Sequence, residues 1–137
     1  MSAASCARLQ FGFPLMIVTS DENDHWSLER ILRKDCHLHR AAGRGDALSV
    51  LRRFHPWVVV CEQVLADGDW RDLLKDLQSE QQMPPPLIVL SKRADDRLWA
   101  EVLNLGGYDL LIKPFAAMEV SRVVKMAAHR GSKSGDY

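Results

Sequence analysis

The chain has 137 residues, of which 47% are hydrophobic and 26% are charged, and this composition is typical of one ordinary globular domain. Its 18 basic and 18 acidic residues balance, which argues against binding to nucleic acid or to an anionic membrane through overall charge. No apolar stretch reaches about 18 residues, and the first residues lack the organisation of a signal peptide. We therefore expect a cytoplasmic domain that acts neither on nucleic acid nor at a membrane.

Five short apolar runs, bounded by polar residues, glycine or proline, have the length of β-strands. They lie at residues 14–20, 36–42, 57–61, 87–91 and 108–112. The second run alternates as an edge strand does, whereas the third, WVVVC, is apolar without interruption. Uninterrupted apolar strands are typical of a parallel sheet that is covered on both faces.

Each predicted strand is followed by a segment whose apolar residues recur at helical spacing. The first helix runs to Lys34 with Asn23 or Asp24 as its N-cap, and Asp46 is a suitable cap for the second. The fourth helix ends at Gly106, because glycine commonly terminates helices. Five strand–helix units in this order predict an α/β domain with one doubly wound parallel sheet.

We expect this domain to span residues 14–130, with an N-terminal extension at 1–13 and a flexible tail at 131–137. Folds of this class place their sites at the carboxyl ends of the central strands. The residues found there are Thr19, Ser20 and Asp21 after the first strand, Glu62 after the third, Ser91 after the fourth and Lys113 after the fifth. Cys6, Cys36 and Cys61 are too few and too widely spaced for a disulfide framework or a zinc site, so we expect reduced thiols and no bound metal.

Three segments resemble the response-regulator receiver domain, the CheY-like family. They are PWVVVCEQVLADGDW at 56–70, LIVLSKRADD at 87–96 and GGYDLLIKPF at 106–115. The resemblance implies a flavodoxin-like sheet with strand order 2-1-3-4-5 and a Lys113–Pro114 peptide that is often cis. It also implies phosphoryl transfer from a histidine kinase to an aspartate.

Several residues depart from the family's pattern. Thr19 and Ser20 stand where the family has an acidic pair that holds Mg²⁺, a cation that prefers charged oxygen ligands. Glu62 stands at the phosphoacceptor position and Leu110 at the position of the switch aromatic, whereas Ser91 and Lys113 match the family. We therefore expect a pseudo-receiver. An alternative alignment makes Asp21 and Glu22 the acidic pair and still leaves glutamate at position 62.

Two hypotheses describe Glu62. In the first, its longer side chain reaches Ser91 and Lys113 and imitates the phosphorylated carboxylate. In the second, it only pairs with Lys113 in a site that has lost its activity. Both predict an ion pair between Glu62 and Lys113.

The predicted function is a phosphorylation-independent protein–protein interaction module in two-component signalling, not an enzyme, with a histidine kinase or another signalling protein as its partner. Helix four, strand five and helix five form the family's common output face, where Asp109 and Arg122 resemble a cross-dimer acid and base, so a homodimer is an alternative. Trp70 and Trp99 are partner anchors if exposed and core residues if buried.

Two other functions remain open. One is a working phosphoacceptor that uses Glu62, Asp67 or Asp69 with Mg²⁺. The other is a flavodoxin-like nucleotide or flavin binder. No loop has the composition of a phosphate cradle, since the loop after the first strand lacks glycine and GRG at 43–45 follows an edge strand, so we expect no cofactor.

Overall fold

The computed structural model describes residues 12–93 and 95–134. For residues 133 and 134 it describes the backbone. Five parallel strands form the main sheet, in the spatial order β2-β1-β3-β6-β7. Their bounds are β1 Phe13–Val18, β2 Cys36–Ala41, β3 Val58–Glu62, β6 Leu87–Ser91 and β7 Asp109–Ile112. Counted without the short strands β4 and β5, this is the predicted order 2-1-3-4-5, which is therefore confirmed.

Five helices cover the two faces of this sheet. They are α1 Glu22–Leu32, α2 Arg44–Phe54, α3 Trp70–Glu80, α4 Asp96–Leu105 and α5 Ala117–Ser134. The apolar side chains of α1 and α5 pack in one buried cluster with one face of the sheet. Those of α2, α3 and α4 pack in a second cluster on the other face. Because both faces are covered, the central strands are buried along most of their length, as the uninterrupted apolar sequence of WVVVC predicts.

A small hairpin between β3 and α3 was not predicted. Its strands β4, Val64–Leu65, and β5, Gly68–Asp69, pair antiparallel. Strands of two residues are too short to show a periodic pattern in the sequence. The hairpin matters for the site because it begins two residues after Glu62.

The structure corrects two predicted helix caps. The N-cap of α1 is Asp21, whose carboxylate accepts from the backbone N–H groups of Asn23 and Asp24. The N-cap of α2 is Gly43, and Asp46 lies inside the helix. In both helices the first turn begins earlier in the chain than the apolar pattern indicates, because a first turn contains few buried residues to mark it.

The predicted domain boundaries fall near the two ends of the described residues. Helix α5 continues to Ser134, so the predicted tail at 131–137 begins within the helix. Gly131 is buried there, and a Cβ at this position would lie 1.9 Å from the carbonyl oxygen of Trp57. Cys6, most of the predicted N-terminal extension and residues 135–137 lie outside the described residues. Within the described part of the chain, Cys36 and Cys61 are free thiols in strands, and no helix is long and apolar enough to cross a bilayer.

Candidate functional site

Three charged side chains meet at the carboxyl end of the sheet. Lys113 follows β7 and precedes a cis peptide bond to Pro114, and its ammonium group contacts the carboxylates of both Asp24 and Glu62. The second Glu62 oxygen, Oε2, lies 3.0 Å from Lys113 Nζ. The side chains are only 14%, 12% and 16% exposed for Lys113, Asp24 and Glu62. The predicted Glu62–Lys113 ion pair is confirmed, and it includes a third member.

Asp24 is the site residue that sequence reasoning missed, because it was interpreted as a helix cap. It belongs to the buried side of α1 together with Leu28 and Leu32. These residues are four apart, and residues at that spacing lie on one face of a helix. An acidic residue in line with the apolar stripe was therefore the available indication that Asp24 points inward.

Burial and mutual contact shift the pKa values of all three groups. Burial raises the pKa of Glu62 to about 7, and the neighbouring Asp24 adds to this effect while Lys113 opposes it. Burial also acts to raise the pKa of Asp24, but its contacts with Glu62 and Lys113 outweigh burial and lower it. The pKa of Lys113 is raised, because its two carboxylate partners outweigh the effect of burial. One lysine thus pairs with two carboxylates, and the ionised form of Glu62 is stabilised less than the ionised form of Asp24.

The residues after β1 do not supply an acidic pair to this site. The hydroxyl of the buried Thr19 accepts from the backbone N–H of Asp21 at 3.0 Å, and Ser20 is exposed. Asp21 caps α1. Glu22 is 80% exposed and forms a salt bridge with Arg40 at 2.7 Å. The alternative alignment with Asp21 and Glu22 as the acidic pair therefore lacks support from the geometry.

Ser91 and Gln63 form a separate polar contact beside the charged group. The Ser91 hydroxyl lies 3.2 Å from Gln63 Oε1 and also 3.2 Å from the carbonyl oxygen of Arg93. Glu62 thus contacts Lys113, whereas the Ser91 hydroxyl contacts Gln63, the residue that follows Glu62. Both contacts line an open cavity of about 560 Å³ whose wall also includes Ser20, Asp21, Lys92, Arg93 and Asp95.

The switch position has no aromatic ring. Leu110 is partly buried and packs against the cluster formed with α2, α3 and α4. Tyr108 packs against the opposite cluster, with the Arg130 guanidinium 5.7 Å from its ring centre. Leucine cannot form the hydrogen bonds of a tyrosine hydroxyl, so the family's coupling between the Ser91 position and a ring is absent at Leu110.

Asp67 and Asp69, the other two acids considered as phosphoacceptors, accept hydrogen bonds from backbone N–H groups at the starts of helices. Both carboxylate oxygens of Asp67 lie within hydrogen-bond distance of the Arg44 backbone N–H at the start of α2, at 3.1 and 3.0 Å. Asp69 caps α3, accepting from the backbone of Arg71 at 2.9 Å and of Asp72 at 3.2 Å. Arg44 also pairs with Asp76 on α3, so the hairpin after Glu62 is tied to two helices.

The two tryptophans differ in exposure. Trp70 is fully buried in the core, whereas Trp99 on α4 is 49% exposed. The Trp99 indole N–H donates to Asp109 Oδ1 at 3.3 Å. Arg122 is exposed on α5, where its guanidinium lies 3.9 Å from the sulfur of Met126. Trp70 is therefore a core residue, Trp99 and Asp109 are in contact with each other, and Arg122 contacts Met126 on α5.

Part of the chain is similar in sequence to known regulatory proteins. No protein-family model matches the chain. The probable transcriptional regulatory protein TcrX of Mycobacterium tuberculosis is 40% identical over 81 residues, which are 58% of this chain and 34% of that protein. The probable transcriptional regulator ycf27 of Porphyridium aerugineum is 28% identical over 94 residues, 69% of this chain and 38% of that protein. The chain thus spans little more than a third of the length of these relatives.

Solved structures agree in fold over nearly the whole domain. A protein assigned as a response regulator in Chloroflexus aurantiacus J-10-fl has a TM-score of 0.79 and 26% identity, with 86% of this chain and 98% of that chain covered. The signal receiver domain of an HD-domain protein from Pseudomonas fluorescens Pf-5 has a TM-score of 0.79 at 22% identity, covering 94% and 96% of the two chains. The chain is therefore similar to response-regulator receiver domains in fold and, over part of its length, in sequence. In this chain Glu62 and Ser91 end the neighbouring strands β3 and β6, and Lys113 follows β7.

Proposed function

We propose that this receiver domain acts as a phosphorylation-independent protein–protein interaction module in two-component signalling, and that it is not an enzyme. The observation that supports this most directly is the position of the Lys113 ammonium between Glu62 and Asp24. A protein cation already pairs with both carboxylates of the site. Where the family has its acidic pair, the chain has Thr19, whose hydroxyl accepts from the backbone, and the exposed Ser20.

The described residues do not fit the Mg²⁺ that the family uses. Mg²⁺ binds through carboxylates and retains several waters in octahedral geometry. Of the acids near the cavity, Asp21 caps α1, Asp24 and Glu62 bind Lys113, and Asp95 caps α4. No cluster of three acidic, histidine or cysteine side chains suited to a metal occurs among the described residues. We therefore assign no metal-dependent step to this site.

Phosphoryl transfer also depends on the position of the accepting oxygen. It proceeds by in-line displacement, in which positioning and charge neutralisation provide most of the catalysis. The additional methylene of glutamate displaces its oxygens by about 1.5 Å, and a misplacement of ~1 Å can cost ~100-fold in rate. Contact with Lys113 further removes the Glu62 carboxylate from the role of a free nucleophile.

The first test is a titration with Mg²⁺, followed by beryllofluoride and then acetyl phosphate. We expect no change in tryptophan fluorescence and no gain of about 80 Da, the mass of a transferred phosphoryl group, in intact mass spectrometry. A receiver domain with an intact phosphorylation site serves as the positive control. A magnesium-dependent mass gain would show a working phosphoacceptor instead.

A second prediction concerns Glu62→Asp. This substitution should not restore phosphorylation, because it corrects the position of the carboxylate and leaves Thr19 and Ser20 in place of the acidic pair. The measurement is the same mass assay after acetyl phosphate treatment. The triple variant Thr19→Asp, Ser20→Asp, Glu62→Asp is the matched control, in which phosphorylation is expected to return. Restoration by the single change would mean that the two hydroxyl residues do not limit the reaction.

For the partner, we propose a signalling protein such as a histidine kinase that binds the face formed by α4, β7 and α5. Exposed apolar residues on α4, with one acidic residue on β7 and one basic residue on α5, suit a protein interface. They are Trp99, Leu103, Leu105, Asp109 and Arg122. A symmetric dimer through the same face remains the alternative.

Trp99→Ala separates a self-associating face from a face that binds another protein. If the domain dimerises here, the substitution should raise the dimer dissociation constant at least ~10-fold, since exposed tryptophans are common interface hot spots. Sedimentation equilibrium of the wild type and the variant measures this. Trp26→Ala on α1, another exposed tryptophan, is the control. A wild type that stays monomeric would remove the dimer from consideration and leave the other signalling protein.

A further inference from the structure

We propose that Asp24, Glu62 and Lys113 form a proton-binding site in which the two carboxylates share one proton as the pH falls, so that the bond from Lys113 to Glu62 weakens. The ion pair that connects Glu62, at the end of β3, with Lys113, after β7, then depends on pH. The inference does not rest on the loss of phosphoryl transfer.

The arrangement of charges supports this inference. Two carboxylates from different elements, α1 and β3, converge on one ammonium group, and none of the three side chains is more than 16% exposed. The group has a formal charge of −1 when both acids are ionised. Like charges held close together in a partly dehydrated site favour the uptake of one proton by the pair, and the difference between their surroundings decides which carboxylate holds it.

Glu62 is the acid that accepts the proton. Its pKa is raised to about 7 by burial first and then by Asp24, whereas the pKa of Asp24 is lowered by its bonds to Glu62 and Lys113 despite burial. The pKa values of the two acids are thus shifted in opposite directions, and Asp24 stays ionised while Glu62 titrates. Protonated Glu62 can donate to Asp24, and Lys113 keeps Asp24 as its charged partner.

The other titratable groups near the site leave this assignment intact. Cys61, the residue before Glu62, remains a thiol because burial raises its pKa. Lys92, in the loop after β6, adds to the stabilisation of ionised Asp24. The remaining titratable or charged groups of the cavity wall and of the adjacent first turn of α1 are Asp21, Glu22, His25, Arg93 and Asp95. Asp21 and Asp95 are held as helix caps.

Proton uptake would change what the cavity presents to a partner. The charge of the group formed by Asp24, Glu62 and Lys113 would go from −1 to zero. Gln63, directly after Glu62, bonds to Ser91 at 3.2 Å, and the exposed Val64 follows it. Gln63 and Val64 line the cavity. A change in the charge of Glu62 therefore occurs next to residues that a partner in the cavity would contact.

The test is a carbon NMR titration of protein labelled at the glutamate side-chain carboxyl carbon, from pH 3 to pH 9. Such labels exclude the histidines, which titrate in the same range. We expect the Glu62 signal, identified by its loss in Glu62→Gln, to titrate with a midpoint near 7. A Glu62 midpoint near the ordinary value of 4.5 would overturn the proposal.

Two variants test whether the proton is shared. Asp24→Asn removes the competing carboxylate and leaves Lys113 to Glu62, so the midpoint should fall by about one pH unit or more. Lys113→Met removes the positive charge, so the midpoint should rise. Glu29→Gln on the exposed side of α1 is the control and should move nothing. An unchanged midpoint in Asp24→Asn would overturn the shared site, because a purely structural role for Asp24 predicts no shift.

Discussion

Replacing Lys113 with methionine should lower the free energy of unfolding by about 3 kcal/mol at pH 8 and by clearly less at pH 5. The substitution keeps much of the side-chain volume and leaves two carboxylates without their counter-charge. Removing one partner of a buried ion pair costs about 3–5 kcal/mol, and partial exposure of the group places the expected value at the lower end.

The pH dependence follows from the direction of the pKa shifts. In the folded protein the pKa of Glu62 is raised, so folding favours proton uptake between 4.5 and about 7. The folded state therefore loses stability from Glu62 as the pH rises through this range. Loss of the Lys113 charge raises the carboxyl pKa values further, so the variant differs most from the wild type when both acids are ionised, above pH 7.

Urea denaturation at pH 5 and pH 8 measures both effects. Lys125→Met is the matched control, because Lys125 pairs with Asp35 at 3.5 Å on the surface, with the two side chains 55% and 35% exposed. That change should alter stability by less than about 0.5 kcal/mol. Equal losses for Lys113→Met at both pH values would contradict the proposed titration of Glu62.

The second large effect is expected for Trp70→Ala, which should cost about 4 kcal/mol because truncation of a buried tryptophan removes its apolar contacts and leaves a cavity. Trp70 is 0% exposed and begins α3, where it packs with Leu73 and Leu77. Its indole Nε1 has no hydrogen-bond partner among the described residues. The ring therefore contributes apolar packing, together with a contact to the Arg71 guanidinium, which lies 5.1 Å from the ring centre.

Trp99→Ala is the control for this measurement. Its ring is half exposed, so its loss should cost less than about 1 kcal/mol. If Trp70→Ala does not fold, Trp70→Phe keeps most of the ring volume and removes the unpaired Nε1, and it should cost about 1–2 kcal/mol. Urea denaturation compares all three variants with the wild type. A loss below 1 kcal/mol for Trp70→Ala would contradict its place in the core.

Elements with a strong local pattern could be predicted closely from the sequence. The strand LIVLS has the predicted bounds 87–91, because a continuous apolar run follows three prolines. Helix α4 ends where predicted, with Gly106 in the left-handed conformation at φ 106°, which glycine adopts without a Cβ clash. The resemblance also placed Glu62, Ser91 and Lys113 at the sheet edge where they are found.

Contacts between distant residues could not be predicted in this way. The carboxylate of Asp67 binds the start of α2, 23 residues earlier in the chain, and no local pattern links the two. Asp24 looked like a cap because Asp is a common capping residue. Its actual partner, Lys113, is 89 residues away in sequence.

By itself, the sequence determined the alternation of strands and helices, the central position of WVVVC and the presence of Thr19 and Ser20 directly after the first strand. These features depend on residue type and local spacing, which are visible in one dimension. Only the tertiary structure decided that Asp24 shares Lys113 with Glu62 and that Ser91 is engaged by Gln63. The reason is physical: pairing and burial are set by which elements the sheet brings together, and those distances exist only after the chain has folded.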